Sequence, residues 1–267
     1  MWLQNAAFVF VPFIVVSAFA TWFGMNDIAS AKASFAEQSI IFERVHNWIM
    51  CWLYTGTFGS FIGYSAGFPL LAKTLFPDVN ALQFAFLGPL VGALSRSLAG
   101  RFADRYGGAR VTIWVFVLMM IGVGACALVH SRQGSAGGLL GLLASFLLLF
   151  CASGVGNAFQ MIPSIMRKEM DRLMPTATAE ARRLEAEKES AAITGFTSAI
   201  AAFGAFFIPR SFGTSIALTG GPQAALWCFL AFYVACLVIA WAVYARRGAL
   251  LYDVEGARRA PLAAAAE

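Results

Sequence analysis

No aspartate, glutamate or lysine falls inside any of the long apolar stretches of this chain. Without buried carboxylates there is no obvious intramembrane proton relay, and no aspartate pair for proteolysis within a bilayer. Without a buried lysine there is no site for a retinal Schiff base. Histidine occurs only twice, at His46 and His130, near span ends on opposite sides of the membrane. A shared metal site and a serine–histidine protease pair are both excluded. The five cysteines, Cys51, Cys126, Cys151, Cys228 and Cys236, lie in apolar sequence without metal-type spacing and read as small packing residues. Charge is scarce throughout: 12% of residues are charged, where a soluble domain carries about a quarter.

What fills the chain instead is hydrophobic sequence, 60% of its residues. Apolar runs of about 20 residues predict a polytopic α-helical membrane protein, because backbone polar groups in hydrocarbon must be satisfied within each spanning segment. The runs are continuous rather than alternating, which excludes a β-barrel. Seven spans are expected, over residues 7–24, 48–72, 81–103, 111–129, 139–166, 191–209 and 224–245. The first has no basic leader and no small-residue cleavage site, since Trp22 and Phe23 stand where one would be.

Fifteen of the nineteen lysines and arginines fall after spans one, three, five and seven. By the positive-inside rule this bias puts the N-terminus outside and the C-terminus in the cytoplasm. The net charge of +5 is thus a topology signal, and no loop interleaves basic and aromatic residues as a nucleic-acid surface would. The segment 167–189 carries six basic and six acidic residues and is expected to be a solvated cytoplasmic helix.

Against this background Arg96 stands out. By default a cation in membrane-length apolar sequence marks an anion, an ion pair or a transport path. With span three starting near residue 81, Arg96 would lie about 22 Å from the outer start, close enough to the cytoplasmic end to snorkel. The neighbouring Gly88, Gly92 and Gly100 favour a tightly packed, interior-facing helix instead. Tyr54 and Phe58, four residues apart in span two, share a helix face and suit either a core or a binding site. Pro69 is expected to bend or end that helix. Gly154 and Gly156 in span five expose backbone, and Asn157 and Gln160 need polar partners there, either across helices or from a ligand. The segment Gly100-x-x-x-Asp104-Arg105-x-Gly107, with Arg110 beyond it, suggests either a cytoplasmic salt-bridge latch or a plain turn.

That last segment resembles the loop motif of the major facilitator superfamily, with Gly108-Ala109 where the family usually has two basic residues. Trp22-Phe23-Gly24-Met25-Asn26-Asp27, the run Thr57 to Phe68, Gly92-Ala93-Leu94-Ser95-Arg96-Ser97 and Phe159-Gln160-Met161-Ile162 are similar to NarK-type nitrate/nitrite transporters. Gly154-Val155-Gly156-Asn157 resembles the second glycine-rich nitrate signature of that family. The resemblance runs from span one to Tyr244. It implies helix six of a twelve-helix transporter (1–25), a cytoplasmic inter-half loop (26–47), the C-terminal six-helix bundle (48–245) and a cytoplasmic tail (246–267). It implies a multi-pass protein of the bacterial cytoplasmic membrane, involved in nitrate assimilation, which is no enzyme and has no cofactor. Its partners would be nitrate, nitrite, the lipid bilayer and a separate N-terminal half or a second copy. Arg96, Tyr54, Phe58, Gly154, Gly156 and Asn157 would fall on the substrate site. Nitrate/nitrite exchange is the implied activity. Proton-coupled uptake and an inactive fragment or half-transporter subunit are the alternatives.

Overall fold

The structure is a computed structural model that describes residues 3–25, 34, 38–78, 80, 83–129, 136–156 and 161–251. The chain forms two compact units, Met1–Glu37 and Gln38–Glu267. The first holds one apolar helix, α1 (Leu3–Gly24). The second is helical throughout its regular structure, with no strand among the described residues. A short 3-10 turn, Ser39–Glu43, leads into α2 (Val45–Tyr54), a single π-helical turn (Thr55–Gly59) and α3 (Ser60–Leu75), one unbroken helical run. Then follow α4 (Leu87–Tyr106), α5 (Gly108–Val129), α6 (Ala136–Val155), α7 (Ile162–Leu173), α8 (Ala179–Ala202), α9 (Gly204–Thr219) and α10 (Gln223–Ala240), which ends in a second π turn, Trp241–Ala245.

Among the described residues four helical runs are long and apolar enough to cross a membrane: Gly108–Val129, Gly137–Val155, Ala179–Thr219 and Gln223–Ala245. Helix α4 falls outside that set because Arg96, Arg101, Asp104 and Arg105 dilute its apolar content.

Several boundaries move from their expected places, each for a local reason. The expected start of span three, at 81, lies outside the described residues. Helix α4 starts at Leu87, and its far end extends to Tyr106, where Gly107 turns the chain at φ 91°. Span five stops at Val155 rather than at 166. A new amphipathic helix, α7, starts with Pro163 in its first turn, where a missing N–H costs nothing. Residues 157–160 lie outside the described residues, and the expectations for Asn157 and Gln160 with them. Helix α8 begins at Ala179, capped by the Thr178 side chain, so much of the charged 167–189 segment is helical as expected. Span six passes Pro209 and continues to Thr219. The true stop is Gly220 in the left-handed conformation, its N–H returning to the Ile216 carbonyl. Pro69 likewise lies inside α3, which runs on to Leu75.

Helices α4 and α5 pack on α6, α3 packs on α9, and α10 packs on α5. Small residues set the closest approaches. A Cβ on Gly204 would collide with the Gly59 backbone, so both chains must be bare there. Between the helices lies an aromatic core. Tyr64 meets Phe146 and Phe229 edge-on at 5.7 and 5.9 Å. Its hydroxyl lies 2.8 Å from that of Tyr233, which in turn lies 2.7 Å from Ser60 Oγ. This buried hydroxyl chain satisfies polar groups that would otherwise be costly in the core.

Polar contacts tie the α2 end together. Arg44 donates through Nε and Nη2 to both oxygens of Glu189, at 2.9 and 2.6 Å, and Glu189 is only 3% exposed. His46 Nδ1 lies 3.0 Å from the Tyr244 hydroxyl, and its Nε2 lies 3.9 Å from Glu169.

Candidate functional site

Arg96 sits in the middle of α4. About 14 Å of helix separates it from Leu87 and about 15 Å from Tyr106, at 1.5 Å per residue. The snorkelling alternative placed the cytoplasmic end a turn or two beyond Arg96, whereas α4 runs on for 10 residues to Tyr106. The guanidinium turns instead to α2 and the π turn. Its Nη2 donates to the Tyr54 hydroxyl at 3.3 Å, and its Cζ lies 5.3 Å from the centre of the Phe58 ring.

Tyr54 and Phe58 stack on each other, 5.0 Å between centroids and 15° from parallel. Their spacing of four puts them on one face. The π turn Thr55–Gly59 lies between them, a single wide turn of the kind often found at functional sites. Tyr54 is buried at 2% exposure, whereas Arg96 is exposed, so the pair forms a wall with a cation at its open edge.

Tyr54, Phe58, Phe61, Gly92, Arg96, Ser153, Gly154 and Gly156 line one narrow cleft of about 250 Å³, counted with its open mouth. The lining holds one cation and no carboxylate. Five of the six substrate-site residues expected from sequence meet here, and the sixth, Asn157, lies outside the described residues. Phe61, Gly92 and Ser153 were missed. Phe61 could have been found, since it follows Phe58 by three and Tyr54 by seven on the same helical face. Gly92 is one turn before Arg96 and was noticed only as a packing residue.

Gly154 of α6 and Gly156 just beyond its end line the cleft and also close the helix contact behind it. A Cβ on Gly154 would collide with the Gly92 carbonyl and come within 2.5 Å of Ser95 Oγ. A Cβ on Gly156 would come within 2.5 Å of Val115 and 2.7 Å of Thr57. Ser95 has its own hydroxyl returned to the Val91 carbonyl at 2.8 Å, so it cannot move freely aside.

Most of the loop motif is helical in this structure, Gly100 to Tyr106 belonging to α4, and only Gly107 turns the chain. Gly107 supplies the positive φ, Asp104 and Arg105 are exposed, and Arg105 lies over the Tyr106 ring at 5.5 Å. Among the described residues Asp104 joins no ion pair. Gly100 and Arg110 flank this turn on α4 and α5, both partly buried. No group of three metal-ligating side chains occurs among the described residues.

No protein-family model matches this chain. Known proteins do. It is 48% identical over 250 residues to the nitrate/nitrite transporter NarU of Salmonella typhimurium and 46% identical over 251 residues to NarU of Escherichia coli. Each match covers 92% of this chain and 54% of the relative. Over that stretch the chain is similar to nitrate/nitrite transporters. A probable nitrate/nitrite antiporter of Thermus thermophilus, NarK2, is 36% identical over 256 residues, 93% of this chain and 53% of that protein. The chain thus spans about half the length of the curated relatives it matches. Together with its apolar helices, this similarity makes it a multi-pass membrane protein.

The Gly154 contact yields a direct test. Gly154→Ala should lower stability by about 1–3 kcal/mol through overpacking, read as a fall in the thermal midpoint of the purified chain. A midpoint equal to that of the parent would mean that α4 and α6 do not approach as closely as the structure places them.

Proposed function

We propose that this chain forms the substrate-binding C-terminal portion of a nitrate/nitrite exchanger. In this reading α1, the 45–75 run, α4, α5, α6, the α8–α9 run and α10 are seven membrane spans. The last six of them correspond to one half of a major facilitator. The N-terminus is outside, and Arg246 and Arg247 lie on the cytoplasmic side. The observation that carries the reading is Arg96, held at mid-helix against Tyr54 and Phe58 at the mouth of a cleft without carboxylates.

Nitrate is a small planar anion. A guanidinium is planar too, with paired donors that match two oxygens of such an anion. The stacked rings of Tyr54 and Phe58 offer its flat face a dry wall, and the tyrosine hydroxyl adds a donor. Glycines at 92, 154 and 156 keep the floor shallow enough for a small guest. Gly154 and Gly156 serve mainly to bring the helices together. Arg96 binds the anion and Tyr54 and Phe58 orient it.

The missing carboxylates determine the mode. No carboxylate lines the cleft, so no proton relay is at hand there to carry an empty site back. Return through the membrane without an anion is then disfavoured, and nitrate entering on one side exchanges for nitrite leaving on the other. The printed name of the Thermus relative, an antiporter, agrees. A second half is needed for two bundles to rock around the site.

Two outcomes follow. With the portion of Escherichia coli NarU that this chain does not match supplied in the same liposomes, Arg96→Lys should cut exchange about 10- to 100-fold while membrane insertion is kept. That is the loss of one or two charge-assisted hydrogen bonds. Parent-level counterflow in the lysine variant would show that charge alone suffices or that Arg96 plays no part. Liposomes containing only this chain should show no nitrate/nitrite counterflow, because its cleft faces no second bundle. Robust counterflow from the chain alone would instead point to paired copies.

A further inference from the structure

Arg210 is a second arginine inside apolar sequence, and the extension of α9 past Pro209 is what places it there. Helix α9 continues from Arg210 to Thr219, about 14 Å at 1.5 Å per residue, before the 220–222 turn. That turn must lie near a membrane surface. The run on its other side, Gln223–Ala245, has 23 residues, about 35 Å, only slightly more than the ~30 Å hydrocarbon core. Neither end of that run can stand far outside. Arg210 is therefore about 10 Å or more below the surface.

The direction of Arg210 is fixed by its neighbours. Gly204, Ile208 and Phe212 form the face of α9 that meets α3, as the contacts at Gly63 and Gly67 show. Arg210, two positions from Ile208, turns roughly opposite to that face, at 100° per residue, and is exposed along with Phe203, Phe206 and Phe207. Its guanidinium lies 5.6 Å from the centre of the Phe206 ring. Phe206 is one turn further from the 220–222 turn, so the cation points deeper into the membrane rather than back to its surface. Among the described residues no carboxylate pairs with it. An arginine at this depth, turned inward and unneutralised, is costly against lipid and reasonable beside a watery path that anions use.

The arrangement repeats the one at the cleft, where Arg96 lies over Phe58 at 5.3 Å. Arg210 stands level with the part of α3 between Gly63 and Gly67. Tyr54 is about 16 Å further along the same helical run, at 1.5 Å per residue. We propose that Arg210 is a second oxyanion station, which takes nitrate or nitrite on its way between the 220–222 end of the protein and Arg96. The proposal rests on the transport reading above.

The test uses the full chain reconstituted with the unmatched portion of Escherichia coli NarU, and nitrate as the probe on the 220–222 side. Arg210→Gln should raise the half-saturating nitrate concentration about tenfold at low ionic strength, with a smaller change in maximal rate, the loss of one charged contact. Its half-saturation should also depend less on salt than that of the parent, because a charge that draws the anion in is screened. Arg210→Lys should restore most of the affinity. Parent-like half-saturation in Arg210→Gln at equal reconstituted amounts would overturn the proposal. Should the glutamine variant fail to insert, Arg210→Cys in a Cys228→Ser background gives the second measurement. Reaction with a charged, impermeant thiol reagent, slowed by nitrate, is expected; no reaction, or reaction indifferent to nitrate, overturns the proposal. The Arg96→Lys control separates the two levels. If only the Arg210 variants behave as the parent, this inference falls and the transport reading stands. If Arg96→Lys also exchanges as the parent does, the transport reading fails as well.

Discussion

The bare backbone contact between Gly92 and Gly154 governs the candidate site. It lets α4 and α6 approach to a distance that no Cβ would permit, and Arg96 lies one helical turn along α4 from that contact. A methyl group there would push α4 outward. The guanidinium would lose its reach to the Tyr54 hydroxyl and to the Phe58 ring together, because both depend on the same helix position. In a bilayer, helices gain little from hydrophobic exclusion against each other, so close van der Waals contact between small residues has to hold them. The Gly59–Gly204 contact does the same work between the 45–75 run and α9.

Much of this was legible in the sequence. All-helical membrane architecture followed from composition and run length, and the resemblance to NarK-type transporters, carried by short segments, is met by 46–48% identity to two NarU proteins over about 250 residues. Tyr54, Phe58, Arg96, Gly154 and Gly156 were expected together and line one cleft. What the sequence concealed were helix ends. The sixth span was ended at 209, yet a helix tolerates the loss of one hydrogen bond at Pro209, and the stop is Gly220. The α-helix that carries Arg96 starts at Leu87, six residues after the expected beginning of the third span. Phe61 went unrecognised because an aromatic in apolar sequence carries no signal of its own until its neighbours on the helix face are known.

Charge is distributed with the same economy. Near the α2 end, the partly buried Arg44 has a carboxylate partner, Glu189, in two-point contact. Arg96 and Arg210 each lie beside a phenyl ring. A ring's weak attraction positions a guanidinium without neutralising it.

The π turn between Tyr54 and Phe58 has a consequence for how this gene can vary. A π turn holds one residue beyond the ordinary helical pitch. Loss of any single codon within Thr55–Gly59 would let the helix relax to regular pitch without breaking it. Everything beyond would keep roughly its present rotation relative to Tyr54, because the π turn takes up one extra residue and gives it back when a residue is lost. The Gly63 and Gly67 face would stay on α9, and the Ser60–Tyr233–Tyr64 hydroxyl chain would hold. The same deletion one turn further along, in regular helix, would instead rotate that face by about 100°. A one-residue loss within the π turn is thus felt at the Tyr54–Phe58 pair rather than in the packing of the helices, although composition, hydropathy and span length read the same in both cases.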